Sequence, residues 1–127
     1  MGEFELIDRF FKRNVPPPPA QKADAATQTI ALGIGDDCAL LQPAPGQQLA
    51  ISTDMLVEGR HFLADVDPAA LGHKALAVNL SDLAAMGAEP LAFTLALALP
   101  PQRAADDGWM RALAHGLRAL ADEYACP

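Results

Sequence analysis

Three stretches of the chain place apolar residues at helical spacing. Residues 3–12 predict a short amphipathic helix. Asp67 and Pro68 are a typical N-cap and first helical residue, and they predict a second helix over residues 68–86. That helix is apolar nearly all round, so we expect it to be buried. A third helix is predicted over residues 104–124, with one apolar face formed by Trp109, Leu113, Leu117 and Leu120.

Short apolar runs beside Gly or Pro predict strands between these helices. The predicted strands are residues 27–32, 38–41, 49–53 and 91–99. Pro43-Ala44-Pro45-Gly46 is a strong turn signal, so we expect residues 38–53 to form a hairpin. The order of helix, strand-rich middle, helix, strand and helix predicts an α+β fold.

The Pro/Ala-rich segment 16–26 is predicted to be a loop, because proline ends the first helix. Two interpretations fit this composition. The segment is either a lid over a nearby site or a tolerated surface insertion.

Charge and cysteine content narrow the function classes. The net charge is −7, with only nine Lys and Arg residues, which disfavours binding to nucleic acid or to anionic lipid. Cys38 and Cys126 fit no metal spacing, and we expect two reduced thiols in a cytoplasmic protein. The N-terminus does not resemble a signal peptide, and the apolar run 91–99 is too short to span a bilayer.

Two adjacent carboxylates give the first candidate for chemistry. Residues 33–39 read Gly-Ile-Gly-Asp-Asp-Cys-Ala, and the glycines let the backbone approach a ligand closely. Asp36 and Asp37 could both face one Mg²⁺ ion in such a turn. The alternative is a turn that its own backbone amides cap. Of the two residues, Asp37 is the one we expect to hold metal.

Two further segments offer oxygen ligands. Ser52, Thr53 and Asp54 lie at the end of a predicted strand, and the predicted hairpin would bring Asp54 beside Asp37. Two carboxylates at one place would share a cation, because like charges otherwise repel. A local turn or an N-cap is the alternative for this segment.

The second predicted helix carries Asn79 and Asp82 three residues apart, so they share a face. A carboxylate in apolar surroundings must be paired, protonated or bound to metal. Lys74, Arg60 or a helix N-terminus could supply a structural partner for Asp82. Arg60 and His61 are also candidates for contacting an anionic or aromatic substrate group.

These motifs, taken together, resemble a known family. In order along the chain they are residues 33–39, Ile-Ser-Thr-Asp at 51–54, Gly-Arg-His-Phe at 59–62 and Ala-Leu-Ala-Val-Asn-Leu-Ser-Asp-Leu-Ala-Ala-Met-Gly-Ala-Glu-Pro at 75–90. The set resembles the N-terminal domain of bacterial thiamine-monophosphate kinase. That enzyme belongs to the superfamily of aminoimidazole-ribonucleotide synthetase, selenophosphate synthetase and the hydrogenase-maturation dehydratase.

The resemblance implies a kinase of thiamine biosynthesis that phosphorylates thiamine monophosphate to thiamine diphosphate with ATP. It implies direct transfer with several Mg²⁺ ions and no catalytic base. His61 would contact thiamine monophosphate. The metal ligands it implies are Asp37, Ser52, Thr53, Asp54 and Asp82. It also implies an α/β sandwich with helices on one face of a four-stranded mixed sheet, which pairs with a second subunit into a barrel.

The resemblance further implies that residues 1–127 are the N-terminal metal- and ATP-binding and dimerisation domain of a longer two-domain enzyme. The family's Gly-Gly-Asp motif would follow Pro127, so we expect this chain alone to lack kinase activity. Two alternatives remain. One is another ATP-dependent member of the superfamily, although residues 1–32 lack the cysteine of selenophosphate synthetase. The other is a non-catalytic dimerisation or metal-binding module.

Overall fold

The structure, a computed structural model, describes residues 2–12 and 30–127. The predicted loop 16–26 and residues 27–29 of the first predicted strand lie outside the described residues. The described residues belong to two compact units, which divide between Leu49 and Ala50.

The first unit confirms the short N-terminal helix. Helix α1 spans Glu3–Leu6 and continues as a π-helical turn over Ile7–Phe11. Its periodic face buries Phe10, and Lys12 pairs with Asp8 one turn away at 3.1 Å. The helical conformation ends at Lys12, whose backbone is extended.

The sheet of the first unit differs from the predicted hairpin. Strand β1 (Ile30–Leu32) pairs antiparallel with strand β2 (Leu40–Leu41), with Ile30 opposite Leu41. The turn at residues 43–46 forms and is closed by a hydrogen bond from Gln47 N to Ala44 O at 3.2 Å. However, residues 49–53 form no strand, so the hairpin prediction is wrong and no longer supports placing Asp37 beside Asp54.

Helix α2 (Pro68–Ala85) confirms the second predicted helix. Asp67 caps it by accepting a hydrogen bond from Ala70 N at 3.0 Å, and Pro68 opens the first turn. Its C-terminus is closed by Gly87 at φ +66°, with Ala88 N donating to Leu83 O, which is the Schellman pattern.

The expectation that the second helix is buried is only partly correct. Leu71, Gly72 and Leu76 are its buried residues, while Met86 at its end is 78% exposed. The physical reason is that α2 packs closely against one partner helix, and its remaining sides are half-buried or exposed.

The prediction of a fourth strand, over residues 91–99, is also wrong. Residues 91–99 form neither helix nor strand, because a strand needs a neighbour to accept and donate its backbone hydrogen bonds. Phe93 nevertheless packs against the core formed by Leu76, Leu120 and Ala121. The described residues therefore contain a two-stranded sheet in place of the four-stranded one.

The third predicted helix is split by a short break. Helix α3 (Pro101–Ala104) precedes helix α4 (Asp107–Glu123), whose N-cap Asp106 accepts a hydrogen bond from Trp109 N at 3.0 Å. The predicted apolar face of α4 is confirmed, since all four of its residues are buried. Helix α4 packs on α2 at two glycines, Gly72 and Gly116, where no side chain separates the backbones.

The chain after α4 folds back on the helix. Ala125 adopts φ +48°, and Cys126 N donates to Ala121 O at 2.8 Å. Cys126 is buried there, and burial raises the pKa of its thiol. Both cysteines are free, as predicted, and Cys38 is exposed. Within the described residues, no helix is long and apolar enough to cross a membrane.

Candidate functional site

The acidic turn of the first unit uses one of its two carboxylates to hold itself together. Gly35 adopts φ +118°, a conformation that favours glycine, and the chain then turns through Asp36 and Asp37. Asp36 Oδ1 accepts a hydrogen bond from Asp37 N at 2.8 Å, as in a self-capped turn. The side chain of Asp37 is exposed and remains the ligand candidate of the pair.

The second unit brings Ser52 against helix α2. Ser52 Oγ lies 2.8 Å from Asp82 Oδ2 and 3.1 Å from Asn79 Oδ1. The helix repeat places Asn79 and Asp82 on one face, as the sequence predicts, and Ser52 contacts both. Asn79 and Asp82 follow Ser52 by 27 and 30 positions along the chain. The side-chain oxygens of these three residues therefore form one cluster.

Thr53 and Asp54 follow directly after Ser52, and both side chains are exposed. The segment that carries them is extended without strand pairing in the described chain. Ser52 is thus the member of the motif that is fixed to α2, while the chain connectivity keeps Thr53 and Asp54 close to the same cluster.

His61 lies in a compact turn over residues 57–62. Gly59 adopts φ +79°, and its N–H donates to Phe62 O at 2.8 Å. His61 Nδ1 accepts a hydrogen bond from Val57 N at 2.9 Å, which leaves the ring hydrogen on Nε2. The exposed imidazole therefore presents an N–H donor away from its own turn.

Lys74 connects this turn to helix α2. Its Nζ donates a hydrogen bond to the carbonyl oxygen of His61. The sequence suggested that Lys74 pairs with Asp82, but in the structure Lys74 contacts the backbone of His61. Consequently α2 holds two loops: the 57–62 turn through Lys74, and Ser52 through Asn79 and Asp82.

The donor chemistry of the Ser52 cluster fits a hard cation. Hydroxyl, carboxylate and amide oxygens are the ligand types that suit Mg²⁺, which usually completes its shell with water and phosphate oxygens. Among the described residues, no group of three or more His, Cys, Asp and Glu side chains is gathered at one place. A cation held here would therefore take part of its shell from phosphate and water.

A shallow groove lies on another side of α2, against α4. It has a volume of about 370 Å³, and its polar lining residues are His73, Ser81, Glu123 and Tyr124. None of the predicted site residues lines it. The groove is thus separate from the Ser52 cluster, although Ser81 is adjacent to Asp82 in sequence.

Two residues of the site were underestimated from sequence. The sequence predicts that Asn79 shares the face of Asp82 but does not indicate its direct contact with Ser52. The charge of Lys74 suggests a carboxylate partner, whereas its contact is with a backbone carbonyl. The spacing of Asn79 and Asp82 was the available signal for the first, and no local pattern indicates the second.

Comparison with known proteins gives close relatives. A thiamine-monophosphate kinase from Salmonella typhimurium is 54% identical over 123 residues, which are 97% of this chain and 34% of the relative. One from Haemophilus influenzae is 42% identical over 124 residues, which are 98% of this chain and 34% of the relative. The chain therefore spans about a third of the length of these relatives.

A solved structure is similar as well. The crystal structure of thiamine-monophosphate kinase from Stenotrophomonas maltophilia K279a matches with a TM-score of 0.68 and 50% sequence identity. The match covers 78% of this chain and 30% of that one. The α+β fold of the described residues is therefore that of a known kinase structure over most of the chain.

The family comparison covers the predicted site residues. The model for the N-terminal domain of AIR synthase related proteins matches residues 35–127. This range contains every predicted metal and substrate residue, from Asp37 to Asp82. The chain belongs to the family of AIR synthase related proteins, and the part that matches is their N-terminal domain.

Proposed function

We propose that this chain is the N-terminal part of a thiamine-monophosphate kinase, which transfers the γ-phosphoryl group of ATP to the phosphate of thiamine monophosphate. The observation that carries the proposal is the hydrogen-bonded oxygen cluster of Ser52 and Asp82. It occurs in a chain that is 54% identical to the Salmonella enzyme over 123 residues. A cluster of hydroxyl, carboxylate and amide oxygens suits a reaction that depends on charge neutralisation.

Mg²⁺ is the proposed cofactor. The proposed ligands are Asp37, Ser52, Thr53, Asp54 and Asp82. When bound, Mg²⁺ would neutralise the negative charge of the phosphates and of the transition state. The role of the chain is to present oxygens in fixed positions, and the contact between Ser52 and Asp82 supports such a role.

The proposed reaction needs no general base. An oxygen of the thiamine monophosphate phosphate attacks the γ-phosphorus of ATP in line. A new oxygen–phosphorus bond forms as the bond from the γ-phosphorus to the β–γ bridging oxygen breaks, and ADP leaves with that electron pair. The acceptor phosphate is already ionised at neutral pH, so no proton has to be removed from it.

His61 is the proposed contact to thiamine monophosphate. Because its Nδ1 accepts from Val57, the Nε2–H can donate to a phosphate oxygen. Lys74 fixes the turn that carries His61 to the helix that carries Asp82. The substrate contact and the metal ligand would therefore keep a constant separation.

We further propose that two copies associate and that their sheets pair into a barrel. Ile51 is 85% exposed, and Leu95 and Leu97 are each 39% exposed on extended segments without strand partners in the described chain. Strand addition by a second copy would satisfy those backbone groups and cover those side chains. A monomeric mass in light scattering at high protein concentration would contradict this.

Substitution of Asp82 tests the proposed activity. In the full-length protein that carries this chain, we expect Asp82→Asn to lower kcat at least about 100-fold and to raise the Mg²⁺ concentration needed for half-maximal rate, because one anionic ligand is lost. The measurement is formation of thiamine diphosphate from thiamine monophosphate and ATP. Glu123→Gln, which removes an exposed carboxylate far along α4, is the matched control and should leave the rate unchanged.

Wild-type activity in Asp82→Asn would contradict the metal assignment.

The 127-residue chain alone provides the second arm of the test. Because it spans about a third of its relatives, we expect it to form no thiamine diphosphate. Turnover by the chain alone would show that these residues contain the complete catalytic site.

A further inference from the structure

The Ser52 hydroxyl has one hydrogen and two acceptors within reach. Asp82 Oδ2 lies at 2.8 Å and Asn79 Oδ1 at 3.1 Å. A serine hydroxyl donates a single hydrogen and keeps two lone pairs. At any moment, therefore, one of the two acceptors receives the hydrogen and the other does not.

The orientation of the Asn79 amide is fixed by its own helix. Asn79 Nδ2 donates to Ala75 O, one turn earlier in α2, at 3.1 Å. Rotating the amide by half a turn would place its oxygen against that carbonyl oxygen, which is repulsive. Asn79 therefore presents an acceptor, and not a donor, to Ser52. Its half-buried position limits competition from water.

We propose that Asn79 is a positioning residue whose Oδ1 accepts the hydrogen bond of the Ser52 hydroxyl when a divalent cation is held by the oxygens of Ser52 and Asp82. With the Ser52 hydroxyl hydrogen directed at Asn79 Oδ1, the lone pairs of Ser52 and the carboxylate of Asp82 are all available to the cation. Without Asn79, the hydrogen would stay directed at Asp82 and occupy an oxygen that the cation needs. The inference rests on the proposed metal site and assigns a residue outside its ligand set.

A double-mutant cycle in metal binding tests this role. The probe is Mn²⁺, followed by electron paramagnetic resonance in the full-length protein with a non-hydrolysable ATP analogue. We expect Ser52→Ala to weaken Mn²⁺ binding at least about tenfold, because a proposed ligand is lost, and Asn79→Leu to weaken it about tenfold, as loss of an outer-shell partner typically does. The double variant should bind within about twofold of Ser52→Ala, because Asn79 acts only through the Ser52 hydroxyl.

Rescue by metal separates positioning from a merely structural role. Saturating Mg²⁺ should restore the kcat of Asn79→Leu, and an unchanged circular dichroism spectrum of the metal-free variant would exclude a folding defect that metal binding could mask. Leucine keeps the branched shape of asparagine and is a good helix former, and Asn79→Ala is the second variant if Asn79→Leu does not fold. Ser81→Ala, on the groove side of the same helix, is the control and should bind Mn²⁺ like the wild type.

The outcomes distinguish the inference from the proposed function. Unchanged Mn²⁺ affinity in Asn79→Leu overturns the inference, and so does an additive loss of about a hundredfold in the double variant. Unchanged affinity in Ser52→Ala overturns the proposed metal site itself, and the inference with it. A loss in Ser52→Ala without a loss in Asn79→Leu leaves the metal site standing and removes only the role of Asn79.

Discussion

Helices α2 and α4 are nearly equal in length and pack on each other, yet they use their surfaces differently. Helix α4 buries eight residues on one face and exposes polar residues such as Arg111 and His115 on the other. Helix α2 buries only three residues, although it is apolar nearly all round. Helix α2 also carries the contacts to Ser52 and to the His61 turn.

The difference indicates a division of roles. The amphipathic pattern of α4 is satisfied by packing within its own unit, so substitutions on its buried face should affect stability. The apolar surface of α2 exceeds what the described residues cover, and part of that helix holds the candidate site. Some substitutions in α2 should therefore affect stability, and others should affect the proposed binding of metal and substrate.

The contact between the helices should be the feature most sensitive to substitution. A Cβ at Gly116 would overlap the carbonyl oxygen of Ala69 and lie 2.9 Å from its Cα, and both obstacles are backbone. Gly116→Ala should therefore push α4 away from α2 and lower the free energy of unfolding by more than about 3 kcal/mol, beyond ordinary overpacking. Urea denaturation followed by circular dichroism measures this loss.

A second glycine at the same helix contact and a glycine outside it test whether the loss of stability comes from the contact. Gly72→Ala should be comparably destabilising, because its Cβ would meet the carbonyl of Leu113. In Gly108→Ala the nearest atom is Asp106 Oδ1 at 3.4 Å, so that variant should be nearly neutral. If Gly116→Ala were no worse than Gly108→Ala, the close contact between the helices would not exist in solution.

Truncating a leucine should lower the free energy of unfolding by less than the glycine substitutions do, and by different amounts in the two helices. Leu117 in α4 is 3% exposed, and Leu117→Ala should cost about 2–3 kcal/mol, because this thin layer can partly collapse around the cavity. Leu83 in α2 is only half-buried, and Leu83→Ala should cost less than about half as much. The same urea titrations measure both, and equal losses would contradict a single buried face on α2.

The helices were predictable because their signals are local. Asp67 and Pro68 set the start of α2, and the apolar repeat of α4 identified its buried face before any contact was known. The strands at 49–53 and 91–99 were not predictable in the same way, because a strand forms only where a neighbour pairs with it. Neither segment has a strand partner among the described residues.

The candidate site shows the same division between local and distant information. The spacing of Asn79 and Asp82 placed both on one helix face, and their contact with Ser52 agrees with that placement. The predicted approach of Asp54 to Asp37 depended on a hairpin that the described residues do not form. The hydrogen bond from Lys74 to a backbone carbonyl could not be predicted, since any residue supplies that acceptor.

The two long helices also end in the same motif with different residues. Helix α2 closes on Gly87 at φ +66°, and α4 closes on Ala125 at φ +48°. In both, the next N–H donates back to a carbonyl of the last turn, Ala88 to Leu83 and Cys126 to Ala121. The left-handed conformation carries no penalty for glycine, whereas the Cβ of alanine meets the following carbonyl oxygen.

Exchanging these residues should change the free energy of unfolding least among these variants, and in opposite directions at the two helix ends. Ala125→Gly should raise the free energy of unfolding by about 0.5–1 kcal/mol, since relief of the Cβ contact exceeds the added flexibility of the unfolded chain. Gly87→Ala should lower it by about 1 kcal/mol for the opposite reason. Ala119→Gly, inside α4 and exposed, is the matched control and should destabilise by about 1 kcal/mol. A loss of stability in Ala125→Gly would mean that α4 does not end in this motif in solution.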